Sequence, residues 1–467
     1  MVYMAFPAAA GSGRDLFGLT DSFFHIMKGF PFAFPFYRVT PMNIELLYGR
    51  GKLAVNLPDH VRVTSLHKRP MVPLRDPLHA TLEAVQNPVN APPLAELAQG
   101  NSHVCILICD ITRPVPNGLL LPPLVESLLR AGMPKERIRI LVATGLHRPN
   151  EGKELEEIVG AEAIYRSVPI ENHFARDREA HVDLGRTSSG IPILLDRRFV
   201  EADIRIVVGL VEPHFMAGYS GGRKVVVPGV AHRDTILKLH TAAILGHPKA
   251  ANCIIQGNPL HEEQIQVVRA LGGALALNVV IDEERRIGFV NFGEIEASHE
   301  KAVDFMRAHA EVAVPRRFKT VVTTSAGYPL DKTYYQTVKG MVGVMDIVEP
   351  GGTIIITSEC SEGMGSPEFV EAQRLLCSLG PDRFMALIEG RERARIDEWQ
   401  TQMLVKALRA GAIQLYTSGL GEADLKDVYV QPVTSVESAI LENIDKHGDP
   451  HVAVVPEGPY VIPLFKP

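Results

Sequence analysis

The sequence predicts an α/β protein built from two α/β domains with mainly parallel sheets and an active-site cleft between them. Short β-branched runs bounded by turn residues, such as 104–109 and 203–210, are typical of buried strands, and they alternate with segments of helical periodicity. The same alternation resumes after a proline-bearing connector at 310–317, which we take as the main domain boundary. Polar side chains follow several strands, and ligands of α/β proteins bind at such strand ends.

Composition restricts the class of partner. A chain of 467 residues with 46% apolar residues can bury a large core. Its formal net charge of -6 argues against a nucleic-acid partner and favours a small molecule. An odd number of cysteines, mostly in apolar runs, predicts free thiols in a reducing, cytoplasmic compartment. Cys105 and Cys109 share one face of a predicted strand, where buried thiols are favoured over metal ligands.

The predicted domains cover the chain in four parts. Residues 1–41 form an N-terminal extension without a regular pattern, in which charged residues and prolines rule out a secretory signal, and no transmembrane helix is predicted. Residues 42–310 form an N-terminal α/β catalytic domain, and 311–450 a C-terminal α/β domain. Residues 451–467 hold a terminal strand, for which a return to the N-terminal domain is one option.

The N-terminal elements lead to three loops that carry chemistry. A hairpin at 44–58 precedes the first of them, and the later strands alternate with helices. Each of the three strands in question ends in a loop held open by proline or glycine, so its polar side chains are presented at the edge of a sheet. The predicted elements are a helix at 77–87, strands at 104–109, 137–143, 203–210 and 275–282, and helices at 122–131, 234–246, 263–271 and 295–309.

Asp110 and Arg113 follow the strand at 104–109, where prolines 114 and 116 prevent a helix. The two side chains are three residues apart, so they either pair with each other or offer Arg113 to a substrate carboxylate. His147 follows the next predicted strand, 137–143, and a proline at 149 again disfavours a helix. A single loop histidine is usually only solvated, but repeated polar side chains at strand ends converge on one edge of a parallel sheet.

The central loop, 211–229, carries His214, a glycine-rich turn with Gly221 and Gly222, and the cation Lys224. Glycines allow the backbone to approach a ligand closely, and the cation adds charge, so the loop suits an anion. A tight surface turn with a solvated basic pair is the alternative. His240 shares a face of the predicted helix with apolar residues, which on its own favours a core histidine.

The C-terminal half repeats the α/β rhythm. Asp331 is a plausible N-cap for a helix over 331–347 that places Gln336 and Lys339 on one face. That face could equally be an ordinary solvated one. The remaining predicted elements are strands at 319–324, 353–358, 412–417 and 451–455, and a helix at 435–446.

These motifs together resemble the nickel-pincer lactate racemase family over residues 42–467. The resemblance rests on DITRP, ATGLHRP, EPHFMAGYSGGRK and YPLDKTYYQTVKG, which occur in this order, and on a helix histidine. It implies a pyridinium mononucleotide whose two thio-acyl arms hold nickel, made by separate maturation proteins and bound covalently to Lys224. His240 matches the histidine ligand of the nickel. The other cofactor-binding positions implied by the resemblance are Asp110, Arg113, Gly221, Gly222, Tyr335, Gln336 and Lys339.

The implied reaction is the racemisation or epimerisation of a small 2-hydroxy acid by hydride transfer through a 2-keto acid. Such a reaction predicts two bases flanking the substrate, and His147 and His214 suit this because imidazole exchanges protons near neutral pH. Arg113 and Lys339 are the expected catalytic partners of the carboxylate.

Two other classes of protein remain open on the sequence. One is a nickel-independent nucleotide- or phosphate-binding enzyme resembling a dehydrogenase, although the loop lacks the G-x-G-x-x-G pattern. The other is a non-catalytic binding protein of the same fold, for which loss of Lys224 or His240 would be the mark, and both are present.

Overall fold

A computed structural model describes residues 43–98 and 102–467 of the chain. The predicted extension, 1–41, lies outside the described residues. The strands are β1 (Asn43–Tyr48), β2 (Gly51–Asn56), β3 (Arg62–Ser65), β4 (Val104–Cys109), β5 (Ile138–Ala143), β6 (Ile170–Asn172), β7 (His181–Arg186), β8 (Pro192–Asp196), β9 (Ile204–Leu210), β10 (Pro213–His214), β11 (Gly218–Tyr219), β12 (Leu275–Ile281), β13 (Ile287–Glu294), β14 (Glu311–Val314), β15 (Phe318–Thr324), β16 (Val348–Thr357), β17 (Gly411–Tyr416), β18 (Gln431–Val433), β19 (His451–Val455) and β20 (Ile462–Phe465).

The helices follow most of the parallel strands and cover the faces of the sheets. Several begin at a side chain that accepts a hydrogen bond from the first turn, as Ser366 does from Phe369 and Asn258 from Leu260. The α-helices are Pro77–Gln86, Leu94–Leu97, Asn117–Arg130, Lys153–Val159, Glu162–Ser167, Arg197–Val200, Arg223–Val226, Arg233–Leu239, Ala242–Leu245, Pro259–Ala270, Ile295–Ala310, Tyr334–Gly343, Pro367–Leu379, Pro381–Glu389, Glu398–Ala410, Glu422–Leu425 and Val436–His447.

The first large sheet has the strand order β13-β12-β9-β4-β5-β6. All neighbouring strands in it are parallel except the edge pair β12–β13. The central strands read as nearly continuous apolar runs because both of their faces are covered. From β4 the chain proceeds outward in one direction through β5 and β6, and later in the other through β9 and β12. The strand order therefore switches between β4 and β9.

The second large sheet has the order β18-β17-β16-β15-β19-β3, and every pair in it is parallel. Its strand order switches between β15 and β19. One apolar core contains Leu107 and Val207 of the first sheet together with Val321 and Ile354 of the second. The predicted fold class, two α/β domains with mainly parallel sheets, is confirmed.

Strand pairing places two segments, β3 and β19, in the second sheet. β3 lies at an edge of the second sheet, beside β19, although the sequence predicts an N-terminal domain over 42–310. β19 itself lies between β15 and β3, so this terminal strand does not return to the first sheet. The periodicity of a strand predicts which face is buried but not which strand is its neighbour.

Three predicted elements also differ in detail. The connector after residue 310 contains a strand, β14, which pairs with β20. Thr333, rather than Asp331, caps the helix Tyr334–Gly343, while Asp331 accepts a hydrogen bond from the backbone of Gly49. The predicted helix at 234–246 is interrupted at His240, which ends the helix Arg233–Leu239.

The five cysteines are free thiols. Burial raises the pKa of Cys105 to about 12 and that of Cys109 to about 11, so both remain protonated thiols at neutral pH. Within 43–98 and 102–467, no helix has the length and apolar character needed to span a bilayer.

Candidate active site

A cavity of about 280 Å³ lies where the two switch points meet. The loops after β4, β5 and β9 line it from the first sheet, and the loops after β15 and β19 line it from the second. Ligands of open α/β sheets bind at the carboxyl ends of strands beside such a switch point. The cavity therefore lies in the predicted cleft, between residues of both domains.

His147 is held by Asp110. Its Nδ1 lies 2.6 Å from Asp110 Oδ2, and Asp110 also accepts hydrogen bonds from the backbone N–H and the hydroxyl of Thr112. A carboxylate only accepts hydrogen bonds, so Nδ1 of His147 is the protonated nitrogen and Nε2 has a free lone pair. Desolvation works to lower the pKa of His147, but the hydrogen bond and charge of Asp110 outweigh it and raise the pKa.

The same contacts act on the carboxyl group. Burial works to raise the pKa of Asp110, yet the hydrogen bonds from His147 and Thr112 lower it below its ordinary value. Asp110 therefore remains ionised and orients the imidazole, which is the arrangement of a general base with its orienting carboxylate.

Arg113 pairs with Glu212 and not with Asp110, which answers the alternative left open by the sequence. Glu212 comes two residues after β9, so this ion pair joins the loops that follow β4 and β9. Both Arg113 and Glu212 line the cavity. Arg113 has donors left for a ligand, since a guanidinium carries five N–H groups.

His214 is buried in the turn between β10 and β11. Its Nδ1 accepts hydrogen bonds from the backbone N–H groups of Met216, at 3.2 Å, and Ala217, at 3.1 Å. Burial, followed by the nearby charges of Lys224 and Arg113, lowers the pKa of His214 well below its ordinary value. The imidazole is therefore neutral at the pH at which His147 titrates.

Lys224 lies in the first turn of the helix Arg223–Val226, directly after the glycine-rich turn. Burial lowers its pKa to about 7, and the charges of Arg113, Lys339 and Arg223 add to the effect. A lysine with this pKa is largely neutral at pH 8, and the neutral amine is the nucleophilic form.

The two glycines of the turn play different parts. Gly221 lines the cavity, as predicted for a cofactor-binding position, whereas Gly222 does not and packs against the ring of His299. Both have positive φ, +79° and +44°, which side chains disfavour. A Cβ on Gly221 would lie 2.6 Å from the side chain of Val211.

Gly221→Ala is therefore expected to destabilise the protein by about 1–3 kcal/mol through backbone strain and overpacking. Denaturant unfolding measures the loss. Gly51→Ala is the control, because φ is not positive there and no atom lies within 4 Å of the added Cβ. It should change stability by less than about 0.5 kcal/mol. Equal stability of the two variants would contradict the close packing of the turn.

His240 ends the helix Arg233–Leu239 and faces the second domain. Its Nδ1 donates to the carbonyl of Ile236 at 2.8 Å, which leaves the Nε2 lone pair free. The ring packs against Trp399 with 4.7 Å between centroids. Burial lowers the pKa of His240 to about 4, so the imidazole is neutral, as a metal ligand must be.

The second domain contributes Tyr335, Gln336 and Lys339 from one helix, and all three line the cavity. Burial, followed by the charge of Arg113, lowers the pKa of Lys339 to about 7. The Oε1 atom of Gln336 is buried without a hydrogen-bond partner among the described residues. An unpaired buried carbonyl is costly, which favours a ligand that donates a hydrogen bond to it.

Several cavity residues were not predicted from the sequence. Glu212 belongs to a motif that was singled out, but its pairing depends on how β4 and β9 are joined. Trp399 and Asp397 come from the second domain, and Asp397 has an unusual φ of +60°. Trp399 Nε1 donates to the hydroxyl of Tyr335 at 3.3 Å. Tyr460, after β19, also lines the cavity.

The donor set fits the nucleotide cofactor that the resemblance implies. One cavity contains an amine of lowered pKa at Lys224 and a neutral imidazole with a free Nε2 at His240, and imidazole is a suitable donor for nickel. Arg113 and Lys339 could balance phosphate or carboxylate groups.

Fold and site together define a two-domain α/β protein whose interdomain cavity is lined by three cationic side chains, three carboxylates and three imidazoles. Comparison with known proteins gives its family. The sequence profile of the lactate racemase N-terminal domain matches residues 48–252, and that of the lactate racemase C-terminal domain matches residues 315–463. The chain belongs to the lactate racemase family, which is a family of isomerases.

Comparison with individual relatives gives the same family. The chain is 32% identical over 427 residues to a lactate racemase of Thermoanaerobacterium thermosaccharolyticum, covering 90% of this chain and 99% of the relative. It is 33% identical over 384 residues to a lactate racemase of Lactiplantibacillus plantarum, covering 81% and 89%. The structure of the lactate racemase apoprotein from T. thermosaccharolyticum superimposes with a TM-score of 0.82 at 30% identity, covering 90% of this chain and 99% of that one.

Proposed function

We propose that the protein racemises or epimerises a small 2-hydroxy acid by using a nickel-pincer nucleotide attached to Lys224. The observation that supports this most directly is the content of one cavity. It holds a lysine of lowered pKa, a neutral histidine with a free Nε2, a histidine oriented as a base, and two cations. Each of these is what the proposed cofactor or a 2-hydroxy acid requires.

When bound, the pyridinium of the cofactor supplies a hydride acceptor and donor. The protein's own residues do the rest. Arg113 and Lys339 bind the substrate carboxylate from the two domains, because guanidinium and ammonium groups suit that charge. Nε2 of His147 takes the hydroxyl proton while Asp110 holds the ring.

The test is to express the protein together with the cofactor-maturation proteins of a lactate racemase and to measure its nickel content and absorbance spectrum. A panel of single enantiomers, from lactate to longer and hydroxylated 2-hydroxy acids, is then assayed by chiral chromatography. We expect one nickel per chain and conversion of at least one pair. Activity that persists without nickel would favour a dehydrogenase-like enzyme, and nickel-loaded protein inactive on the whole panel would favour a binding protein.

Substrate binding should weaken as the pH rises. A pKa of about 7 means that Lys339 is charged below pH 7 and neutral above it, so the carboxylate loses a partner on the alkaline side. The Michaelis constant should therefore increase between pH 7 and 9. Lys339→Arg keeps its charge throughout this range and should remove the increase. A Michaelis constant that stays flat with pH in the natural enzyme would contradict this role.

A further inference from the structure

We infer that Asp397 determines the specificity for the substrate side chain, and that the protein prefers 2-hydroxy acids whose side chain carries a hydroxyl group. Acids whose side chain ends in a methyl group or in a second carboxylate should bind more weakly. The inference rests on the proposed function for the class of ligand, a 2-hydroxy acid held in the interdomain cavity. It concerns how the acid is bound and involves no step of the reaction.

The backbone of Asp397 presents its side chain to the cavity rather than to the helix that follows. Asp397 lies directly before the helix Glu398–Ala410, where an aspartate ordinarily accepts a hydrogen bond from the first turn. It makes no such bond, and its backbone is left-handed, with φ +60° and ψ -1°. This conformation is uncommon outside glycine, and such outliers cluster at binding sites. The carboxylate lines the cavity.

Two hydroxyl groups hold this carboxylate in place. Oγ of Ser366 donates to Oδ2 of Asp397 at 2.5 Å, and the same Oγ accepts from the backbone N–H of Phe369, where it caps a helix. The hydroxyl of Tyr335 stabilises the charged form of Asp397, and it accepts from Nε1 of Trp399 at 3.3 Å. A side chain that is positioned in advance loses little conformational freedom when a ligand binds.

The carboxylate can still accept from a further donor. An ionised carboxylate offers about four acceptor positions, and the two hydroxyls use two of them. In the described part of the chain Asp397 forms no salt bridge with an arginine or a lysine. The other two carboxylates of the cavity are paired, one with His147 and one with Arg113. Burial raises the pKa of Asp397, and its hydrogen bonds and the charge of His147 offset this only in part.

The charges of the cavity separate into two ends. The main charge acting on Lys339 is that of Arg113, and the largest effects on Lys224 come from these same two cations, so the three lie together. The main charge acting on Asp397 is that of His147. The carboxylate of a 2-hydroxy acid binds at the cationic end, so the side chain of the acid is the part that faces Asp397.

The separation of the two ends suits a short acid. Tyr335, whose hydroxyl acts on Asp397, lies four residues before Lys339 on one helix. Residues at this spacing share a helix face, with about 5–6 Å between their Cβ atoms. The carbon chain of an acid with three or four carbons spans a gap of this order.

A hydroxyl group fits the position better than other groups of similar size. A methyl group would leave the carboxylate without a further donor, and a second carboxylate would bring two negative charges together. An ammonium group can donate, but the three cations of the cavity oppose a further positive charge. A hydroxyl group donates a hydrogen bond and adds no charge.

Binding of matched acids tests the inference. 2-Hydroxybutanoate, glycerate and isoserine differ only in the group at the end of the side chain, which is methyl, hydroxyl or ammonium, and malate carries a carboxylate there. Each racemic acid, and its homologue with one more carbon, is titrated by calorimetry into the protein before and after loading with nickel. We expect the hydroxyl acid to bind roughly 10- to 100-fold more tightly than the methyl acid, as for a hydrogen bond to a charged group. Malate should bind most weakly.

Variants at residue 397 assign the preference. Asp397→Gly removes the carboxylate and Asp397→Asn removes only its charge, and both new residue types tolerate a left-handed backbone. Asp397→Gly should abolish the preference for the hydroxyl acid, whereas Asp397→Asn should retain part of it because the amide oxygen still accepts. Asn90→Gly is the matched control, at an exposed position with φ +49°, and should keep the full preference.

Equal binding of the hydroxyl and methyl acids at both chain lengths would overturn the inference, and so would a preference that survives in Asp397→Gly. Tightest binding of malate or of isoserine would contradict the choice of a hydroxyl group, and failure to bind any of the acids would contradict the whole inference. The proposed function fails separately. If the loaded protein converts none of the acids, racemisation is wrong, yet a preference that is lost in Asp397→Gly would still establish the role of Asp397 in binding.

Discussion

Lys224→Ala is expected to carry no covalent adduct and to show no racemase activity. The side chain lies in the cavity with its pKa lowered to about 7, so a large share of the amine is in the neutral, nucleophilic form that attacks a thio-acyl group at neutral pH. Removing it removes the attachment point itself, and no graded effect is expected. Lys224→Arg should fail equally, because a guanidinium keeps the charge but remains protonated.

Intact-mass measurement after expression with maturation proteins checks this prediction. The natural protein should gain the mass of the cofactor on the peptide that contains Lys224. Lys301→Ala, which changes an exposed lysine on the helix Ile295–Ala310, is the control and should keep both adduct and activity. Full activity of the natural protein with an unmodified Lys224 would contradict the hypothesis that the cofactor is attached to this lysine.

Asp110→Asn is expected to lower kcat by about 10²- to 10⁴-fold, the range attributed to general acid–base catalysis. Asparagine has the shape of aspartate but no charge. Its amide can donate to Nδ1 of His147, which would move the ring proton to Nε2 and block the lone pair that takes the substrate proton. The pKa of His147 would also fall, because the carboxylate that raises it is gone.

Thr112→Val is the matched control for this variant. It removes a hydroxyl that donates to Asp110 at 2.5 Å but leaves the contact between Asp110 and His147, so a loss of less than about tenfold is expected. Single-turnover kinetics and the pH dependence of kcat measure both variants. If Asp110→Asn stays within tenfold of the natural enzyme with an unchanged pH profile, Asp110 does not orient the base.

The sequence was sufficient to predict where the chemistry would converge. Asp110, His147 and His214 each follow a predicted strand, and the structure brings all three to one cavity with Lys224 and Lys339. This worked because the carboxyl ends of parallel strands meet at one edge of a sheet, so local patterns are enough to bring the loops together.

Pairing and orientation could not be predicted in the same way. Arg113 finds Glu212 because β4 lies beside β9, which no local pattern shows. The two histidines look alike in sequence, and only the groups at their Nδ1 atoms, a carboxylate for His147 and two amides for His214, distinguish them. Asp397 reaches the cavity through a left-handed backbone conformation that is uncommon outside glycine.

The position of β3 has a consequence for the order in which the protein is made. β3 is among the first elements to leave the ribosome, but among residues 43–98 and 102–467 its only partner in the second sheet is β19, near the end of the chain. β19 lies between β3 and β15, so β3 cannot join the second sheet until β19 has been synthesised. Contacts so far apart in sequence are slow to form, and the exposed edge of an unpaired strand favours aggregation. Synthesis that stops before His451 would therefore leave both β15 and β3 without a neighbour on that side.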